Sequence, residues 1–339
     1  MHVGVFGAGA IGCFLGIRLS AAGVRVTLLG RQSLVDVADR IAAVSLEGAR
    51  VCLGDDARVT TDPAALSDVD CCLVTVKSGG TEEAGRTLAT VLPDRCAVVS
   101  MQNGLGNATL LRGALGERVA AGMVPFNVFR DDDHQYTQAT SGALLAERGQ
   151  GSMAETMQWL HEAFARAGEV LELRDDMPSV AAGKLLLNLN NGICAATGLT
   201  IAESLRSRDA RWCFAACMRE GIAVLGVTGP APARVVALPS WAIARLLALP
   251  NFVVMRVAKQ MVKVDPSALS STLQDVLAGR RTEIDVLNGA IVELARDAGL
   301  TAPANATVTR LVHGLYGRHP PPFVDPRGLR AEIERALED

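Results

Sequence analysis

The sequence predicts an α/β protein in two parts, a doubly wound parallel sheet followed by an all-α C-terminal domain. Three observations predict it. Short apolar, β-branched runs alternate with helical patterns from Val3 to Val124. Gly7, Gly9 and Gly12 stand between the first such run and the first helical pattern. From Met177 onward the strand-like runs disappear and helical periodicity takes over.

The elements follow in order. Val3 to Phe6 reads as a buried strand, "GAGAIG" as a turn entering a helix that runs to Ala22, Gly23 as its stop, and Val24 to Leu29 as a second strand. A strand on each side gives the G-x-G-x-x-G spacing its meaning. Gly7 permits the tight turn, Gly9 lets the backbone approach a pyrophosphate, and Gly12 lets the helix lie close to the strand. The first helical turn, with Ala10 and Ile11, offers unpaired N–H groups and the positive end of the dipole to phosphates. This is a Rossmann-type dinucleotide site on Gly7, Gly9, Ala10, Ile11 and Gly12; the bland alternative is a Gly-rich turn without ligand. After the second strand, "LLGRQS" offers no acid for a ribose 2′-OH but does offer Arg31. A guanidinium can donate two parallel hydrogen bonds to a 2′-phosphate, so the cofactor inferred is NADPH/NADP+. Otherwise Arg31 is a solvated surface arginine.

Further strands are expected at Val51–Leu53, Cys71–Val76, Ala97–Met101 and Val119–Val124. Lys77 and Asn103-Gly104 each follow a strand end. In an open parallel sheet ligands bind outside the carboxyl ends of the strands, so both point toward the cofactor. Plain turn chemistry explains Asn103-Gly104 equally well. Segments 125–150 and 168–175 are expected to complete the sheet's edge around the helix "SMAETMQWLHEAFARAG". The nucleotide-binding domain is thus assigned to residues 1–175.

Asp175-Asp176 and Pro178 mark the boundary to a helical domain, 176–316, with helices over Ser179–Ala196, Ala210–Leu225, Ser240–Val264, Ser271–Ala278 and Ile284–Ala298. A Pro-rich connector, "GRHPPPF", and a final amphipathic helix occupy 317–339 and pack on the body or on a partner subunit. In "KLLLNLNNG", Lys184, Asn188 and Asn191 form one polar stripe at i, i+4 and i+7. Taken alone this is an ordinary solvated face. "TEID" allows Thr282 to cap a helix with Asp285 in the capping-box slot, leaving Glu283 to favour the helix dipole.

Composition narrows the classes. Among 339 residues, 49% are hydrophobic, enough for sizeable cores, and the net charge of -3 without a basic run argues against a nucleic-acid partner. The eight cysteines fall into no metal-ligand or disulfide pattern, which fits a reducing, cytoplasmic setting. No basic leader precedes the N-terminal strand, and no window of about 20 apolar residues predicts a membrane span.

Five pieces together resemble the ketopantoate reductases (2-dehydropantoate 2-reductases): "GAGAIG", "TVK", "QNG", "GKLLLN" and "SSTLQDVLAGRRTEIDVLNG", in the family's order and spacing over residues 1 to 315. The resemblance implies a Rossmann-type NADPH domain joined to a helical domain, with catalysis in the cleft between them. It implies reduction of 2-dehydropantoate to (R)-pantoate, a step of pantothenate and coenzyme A biosynthesis. Lys184 would be the general acid, with Glu283 and Asn103 beside the reacting atoms. Asn188 and Ser271 would hold substrate, while Arg31 and Lys77 would hold the cofactor's adenosine and phosphate side. Family members often carry a second asparagine eight residues after the lysine; here that position is Gly192, and Asn191 on the Lys184 stripe is a candidate substitute. The stretch from Gly226 to Pro266 reads as a long insertion that lines the substrate pocket or forms a homodimer face. Other readings stay open: another branched 2-keto acid as substrate, or a non-catalytic NADPH-binding regulator.

Overall fold

The computed structural model describes residues 1–235, 238–251, 254 and 268–338. It divides into two compact units, Met1–Met177 and Pro178–Asp339.

In the first unit β1 (His2–Phe6), α1 (Ala10–Ala21) and β2 (Arg25–Leu29) form the expected βαβ opening. A short α2 (Gln32–Val35) follows, then β3 (Ala42–Val44), β4 (Arg50–Cys52), β5 (Ala57–Thr60) and β6 (Cys71–Val74). After α3 (Thr81–Val91), β7 (Ala97–Ser100), α4 (Asn107–Leu115) and β8 (Val119–Met123) come β9 (Val128–Arg130), β10 (Gln135–Gln138), β11 (Leu144–Glu147), α5 (Ser152–Arg166) and β12 (Leu171–Arg174). The main sheet runs β12-β11-β8-β7-β6-β1-β2-β5. It is parallel from β5 to β8, β11 joins β8 antiparallel, and β12 joins β11 parallel. The chain leaves β1 toward β2 and β5, then returns to β6 on the other side of β1. That reversal is the switch point at which α/β sheets open a crevice.

The segment 125–150 behaves differently from expectation. Only β11 extends the main sheet; β9 and β10 join β3 and β4 in a second sheet, β4-β3-β10-β9. The reason lies in α1, whose residues from Gly12 to Ser20 are all buried. A helix apolar on every side needs a cover on every side. The main sheet supplies one, and the second sheet brings Ala43 and Tyr136 into the same core as Cys13 and Phe14. Strands β3 and β5 were not anticipated, because three or four residues are too few to display a period.

The second unit is helical among the described residues: α6 (Met177–Thr197), α7 (Ile201–Arg206), α8 (Arg208–Thr228), α9 (Ser240–Leu247), α10 (Ser271–Leu277), α11 (Asn288–Asp297), α12 (Pro303–His313) and α13 (Pro326–Glu338). The expected helix Ser240–Val264 is seen as α9; most of its remainder lies outside the described residues. The expected helix Ile284–Ala298 is broken at Leu287 into a 3-10 turn and α11. Helix α12 was not anticipated. Its Pro303 suits the first helical turn, and Glu220 of α8 accepts from the N–H groups of Ala304 (2.7 Å) and Asn305 (3.0 Å).

The fully buried Arg211 gathers carbonyl oxygens at the ends of two helices. It donates to Leu205 and Arg206 of α7 and to Leu247, Leu249 and Asn251 at and beyond the end of α9. Terminal carbonyls and the negative end of the dipole make a cation stable there without a carboxylate. The C-terminal helix packs on this unit's own body: Leu329 and Ile333 are buried, Arg330 lies 4.9 Å over the Trp212 ring, and its guanidinium reaches Asp209 at 3.1 Å.

Candidate active site

In the first unit the predicted residues gather at the carboxyl ends of β1, β2, β6 and β7. Gly7 has φ +94°, and the N–H groups of Gly7 and Ala8 both donate to Leu29 O. The turn is thereby tied to the end of β2, and a side chain at Gly7 is disfavoured. Gly9 stands as the N-cap of α1 with no side-chain cap and no acid in the first turn. A Cβ on Gly9 would meet nothing nearer than Gly7 O at 3.9 Å, so the space in front of the helix is open. At Gly12 a Cβ would fall 2.5 Å from Thr75 Oγ1 and 2.9 Å from Gly7 O. Thr75 in turn donates to Gly7 O at 2.8 Å, which ties the end of β6 to the glycine turn. Open space in front of a helix N-terminus with no acid in its first turn fits a dinucleotide pyrophosphate.

Arg31 is exposed just past β2 as the N-cap of α2, and Lys77 is exposed just past β6. Asn103 is half-buried just past β7. The two loops carrying Lys77 and Asn103 are bound together by a network that the sequence reading missed. Ser78 donates to Asn103 O (3.0 Å), and Asn107 Nδ2 donates to the same oxygen (2.6 Å) and to Ser78 Oγ (3.1 Å). Thr81 donates to Asn107 Oδ1 (2.8 Å), while Gln102 Nε2 donates to Thr81 Oγ1 (2.7 Å) and Val76 O (3.0 Å). Ser78, Thr81, Gln102 and Asn107 are all buried. The available signal was polar residues beside two adjacent strand ends, where buried polar groups must find one another. Asn103-Gly104 is therefore more than a turn, because its carbonyl anchors the neighbouring loop.

In the second unit α6 carries Lys184, Asn188 and Asn191, all half-buried on one side. Leu185, Leu186, Leu189 and Ile193 fill the core on the other. The intervening Asn190 faces inward and donates to Ser204 at 3.1 Å, so it is structural. Burial lowers the Lys184 ammonium from the ordinary lysine value to about 8, and the nearby charge of Glu283 opposes the fall. Lys184 and Glu283 are thus brought together although 99 residues separate them in the chain. The segment around Ala233 crosses α6 beside the lysine: Ala233 N donates to Ser179 O at 2.8 Å, and Gly183 has no room for a Cβ against Ala233 O and Val235.

One expectation changes here. The capping box at "TEID" does not form: Glu283 is the N-cap of the 3-10 turn, Thr282 accepts from Ile284 N at 3.4 Å, and Asp285 pairs with His313 at 2.8 Å. The Glu283 side chain makes no cap hydrogen bond, and its charge acts on Lys184. Of the two serines, Ser270 is the buried N-cap of α10, donating also toward Asn191 O at 3.5 Å, while Ser271 is exposed on the first turn. Division of labour between neighbours is settled by the helix start. No three His, Cys, Asp or Glu side chains among the described residues could hold a metal ion, and no described helix is long and apolar enough to cross a membrane.

Comparison with known proteins now decides the family. Residues 3–150 match the family model described as Ketopantoate reductase PanE/ApbA, and residues 177–316 match that of its C-terminal part. A 2-dehydropantoate 2-reductase of Halobacterium salinarum is 30% identical over 322 residues, covering 92% of this chain and 98% of the relative. The chain belongs to the ketopantoate reductase family. It is accordingly an oxidoreductase. A crystal structure of a PanE/ApbA family ketopantoate reductase from Ralstonia eutropha superposes with a TM-score of 0.77 at 28% identity, covering 93% of this chain and 98% of the other. D-mandelate dehydrogenase in complex with NADH and anilino(oxo)acetate shares the fold, with a TM-score of 0.76 at 18% identity over 99% of this chain and 100% of that one.

The glycine at position 192 is explained by packing. At Gly192 a Cβ would fall on Asn288 Oδ1 and lie 2.7 Å from Val308 Cγ1 and 3.0 Å from Ile284 Cδ1. Helix α6 is pressed against its neighbours there, and a side chain at that position forces them to shift. Asn191, one residue earlier, is half-buried on the Lys184 side.

Proposed function

We propose that this chain reduces 2-dehydropantoate to (R)-pantoate with NADPH, with Lys184 as general acid, in the biosynthesis of pantothenate and coenzyme A. The single observation that carries the chemistry is the lowered ammonium of Lys184 facing the charge of Glu283. NADPH, its pyrophosphate held at the glycine turn, would supply the hydride. As C2 of the keto acid is reduced, negative charge develops on its oxygen. An ammonium with a pKa of about 8 stabilises that charge and hands over its proton near neutral pH. Glu283 keeps part of the lysine population protonated and orients it. Asn188, with Asn191 from the same helix side, supplies neutral donors that leave the lysine's charge uncancelled. Ser271, exposed at the start of α10, is assigned to the substrate carboxylate, where its hydroxyl and the first helix N–H groups favour an anion. Asn103 is assigned to the nicotinamide side, held by its braced loop. Arg31 is assigned to the 2′-phosphate and Lys77 to the adenosine and phosphate side.

The test is a steady-state assay of NADPH oxidation with ketopantoate against a panel of 2-keto acids. Ketopantoate should give the highest kcat/KM. Turnover of ketopantoate hundreds of times poorer than that of another acid retires it as the substrate while leaving the reaction intact. The packing at Gly192 supports this second reading specifically, because an asparagine common in the family would force its neighbours to shift there. The chain would then reduce another branched 2-keto acid by the same steps.

A further inference from the structure

The second unit holds a chain of buried amides that the reductase reading does not use. Asn288, the first residue of α11, and Asn305 of α12 are both fully buried. Their orientation is dictated from one end. Cys217 O is a backbone carbonyl and can only accept, so Asn305 turns Nδ2 toward it at 3.1 Å and donates from the same nitrogen to Glu220 at 2.8 Å. Asn305 Oδ1 is thereby left facing Asn288, whose Nδ2 donates to it at 3.0 Å. Asn288 Oδ1 then lies on the other side, against Gly192 of α6, where a Cβ would fall on it. Among the described residues this oxygen has no hydrogen-bond partner. A buried carbonyl oxygen without a donor carries a cost, so what holds it there is the rest of the amide and its anchor. That anchor is firm: Glu220 of α8 also accepts from the N–H groups of Ala304 and Asn305.

The neighbours of Asn288 in the chain give the contact its consequence. Glu283 is the N-cap of the turn Ile284–Val286, Leu287 follows, and Asn288 opens α11. Ile284 Cδ1 meets the same glycine, 3.0 Å from where a Gly192 Cβ would stand. The turn also folds back closely on α11, since a Cβ at Gly289 would lie 3.3 Å from Ile284 O. The turn that begins at Glu283 is therefore seated on α6 through Ile284 and Asn288. Lys184 stands eight residues earlier on that helix. An α-helix is stiff over the roughly 12 Å that eight residues span, so a seat at Gly192 fixes the lysine's backbone relative to that of Glu283.

We propose that Asn288 is a positioning residue for the reduction: its amide, fixed by Asn305 and through it by Glu220, holds the turn that begins at Glu283 against α6 and so sets how closely the Glu283 carboxylate approaches Lys184. The proposal rests on the reading of Lys184 as general acid.

The test is a direct titration of the Lys184 amine in the full-length protein, read from the ¹³Cε shifts of biosynthetically labelled lysines. The Lys184 signal is identified by its loss in Lys184→Arg. The wild-type midpoint should lie at about 8. Asn288→Ala should lower it by about half a pH unit, in the same direction as Glu283→Gln, because the charge that raises it draws back. In the Glu283→Gln background the same substitution should move nothing. A general loosening of the unit would act in both backgrounds, so this cycle separates positioning from a merely structural role. Glu220→Gln, which keeps the size of the side chain, should give a smaller fall of the same sign and replaces Asn288→Ala if that variant does not fold. A midpoint unmoved or raised in the folded variant, or lowered equally with and without the Glu283 charge, overturns the proposal. Turnover does not enter this measurement, so failure of the general-acid reading is recognised separately, by activity that survives in Lys184→Ala.

Discussion

The two units build their polar sites by different means. In the first, backbone does most of the work: the glycine turn leaves open space in front of the N-terminus of α1, and a buried network through Ser78, Thr81, Gln102 and Asn107 holds the flanking loops. In the second, one helix presents Lys184, Asn188 and Asn191, and the charge of Glu283, remote in the chain, acts on the lysine. A backbone site tolerates little change in shape. A side-chain site can keep its shape while its chemistry is removed. The contrast separates binding from turnover, and it can be broken or sharpened by substitution.

Lys184→Ala should have the largest effect, lowering kcat for reduction by about 10³-fold, within the range of lost general-acid catalysis. NADPH affinity should stay within about twofold, because the cofactor residues belong to the other unit. Surviving turnover would move the acid elsewhere. Gly192→Asn should destabilise the protein by about 1–3 kcal/mol in urea unfolding, the usual cost of overpacking. A stable variant with raised ketopantoate activity would show that the helix can yield there. Arg31→Ala should weaken NADPH about tenfold and NADH by less than about twofold, since a charge-assisted hydrogen bond to a phosphate is worth about 1.5–3 kcal/mol. Equal losses for both cofactors would remove Arg31 from the 2′-phosphate.

Asn107→Ala should cost about 1–2 kcal/mol by leaving buried partners unpaired. Hydrogen exchange should rise in both loops, around Ser78 and around Asn103; a rise in one alone would mean the two are not joined. The smallest effect concerns pH. The Lys184 ammonium is the reactive form, so kcat for reduction should fall as pH rises through about 8. Glu283→Gln removes the charge that raises this value, so the fall should begin at lower pH. Stability has the opposite slope: the folded lysine releases its proton below the unfolded value of about 10.4, so the native state gains stability as pH rises from about 8 toward that value. Lys184→Met should flatten that gain.

The βαβ opening, the parallel character of the main sheet, and the helical character of the described residues after Met177 were legible in the residues. Period and glycine spacing are local properties, written wherever a strand or helix is long enough to repeat them. The stripe of Lys184, Asn188 and Asn191 was legible for the same reason. What the chain alone could not display was which side of each polar residue would meet a partner. Gln102 and Thr81 are 21 positions apart, and Glu283 and Lys184 are 99 apart. Nothing periodic links them; burial forces the first pair together and joins the second through one charge. The second sheet covers α1, which is buried on all sides, a demand visible in the largely apolar helix but answered by short segments with no pattern of their own. The amino-acid order by itself determined the elements and the kinds of groups available. Only the tertiary structure decided that the charge of Glu283 lies near the lysine, and that Gly192 is a point of contact between helices, because both outcomes depend on distances between segments remote in the chain.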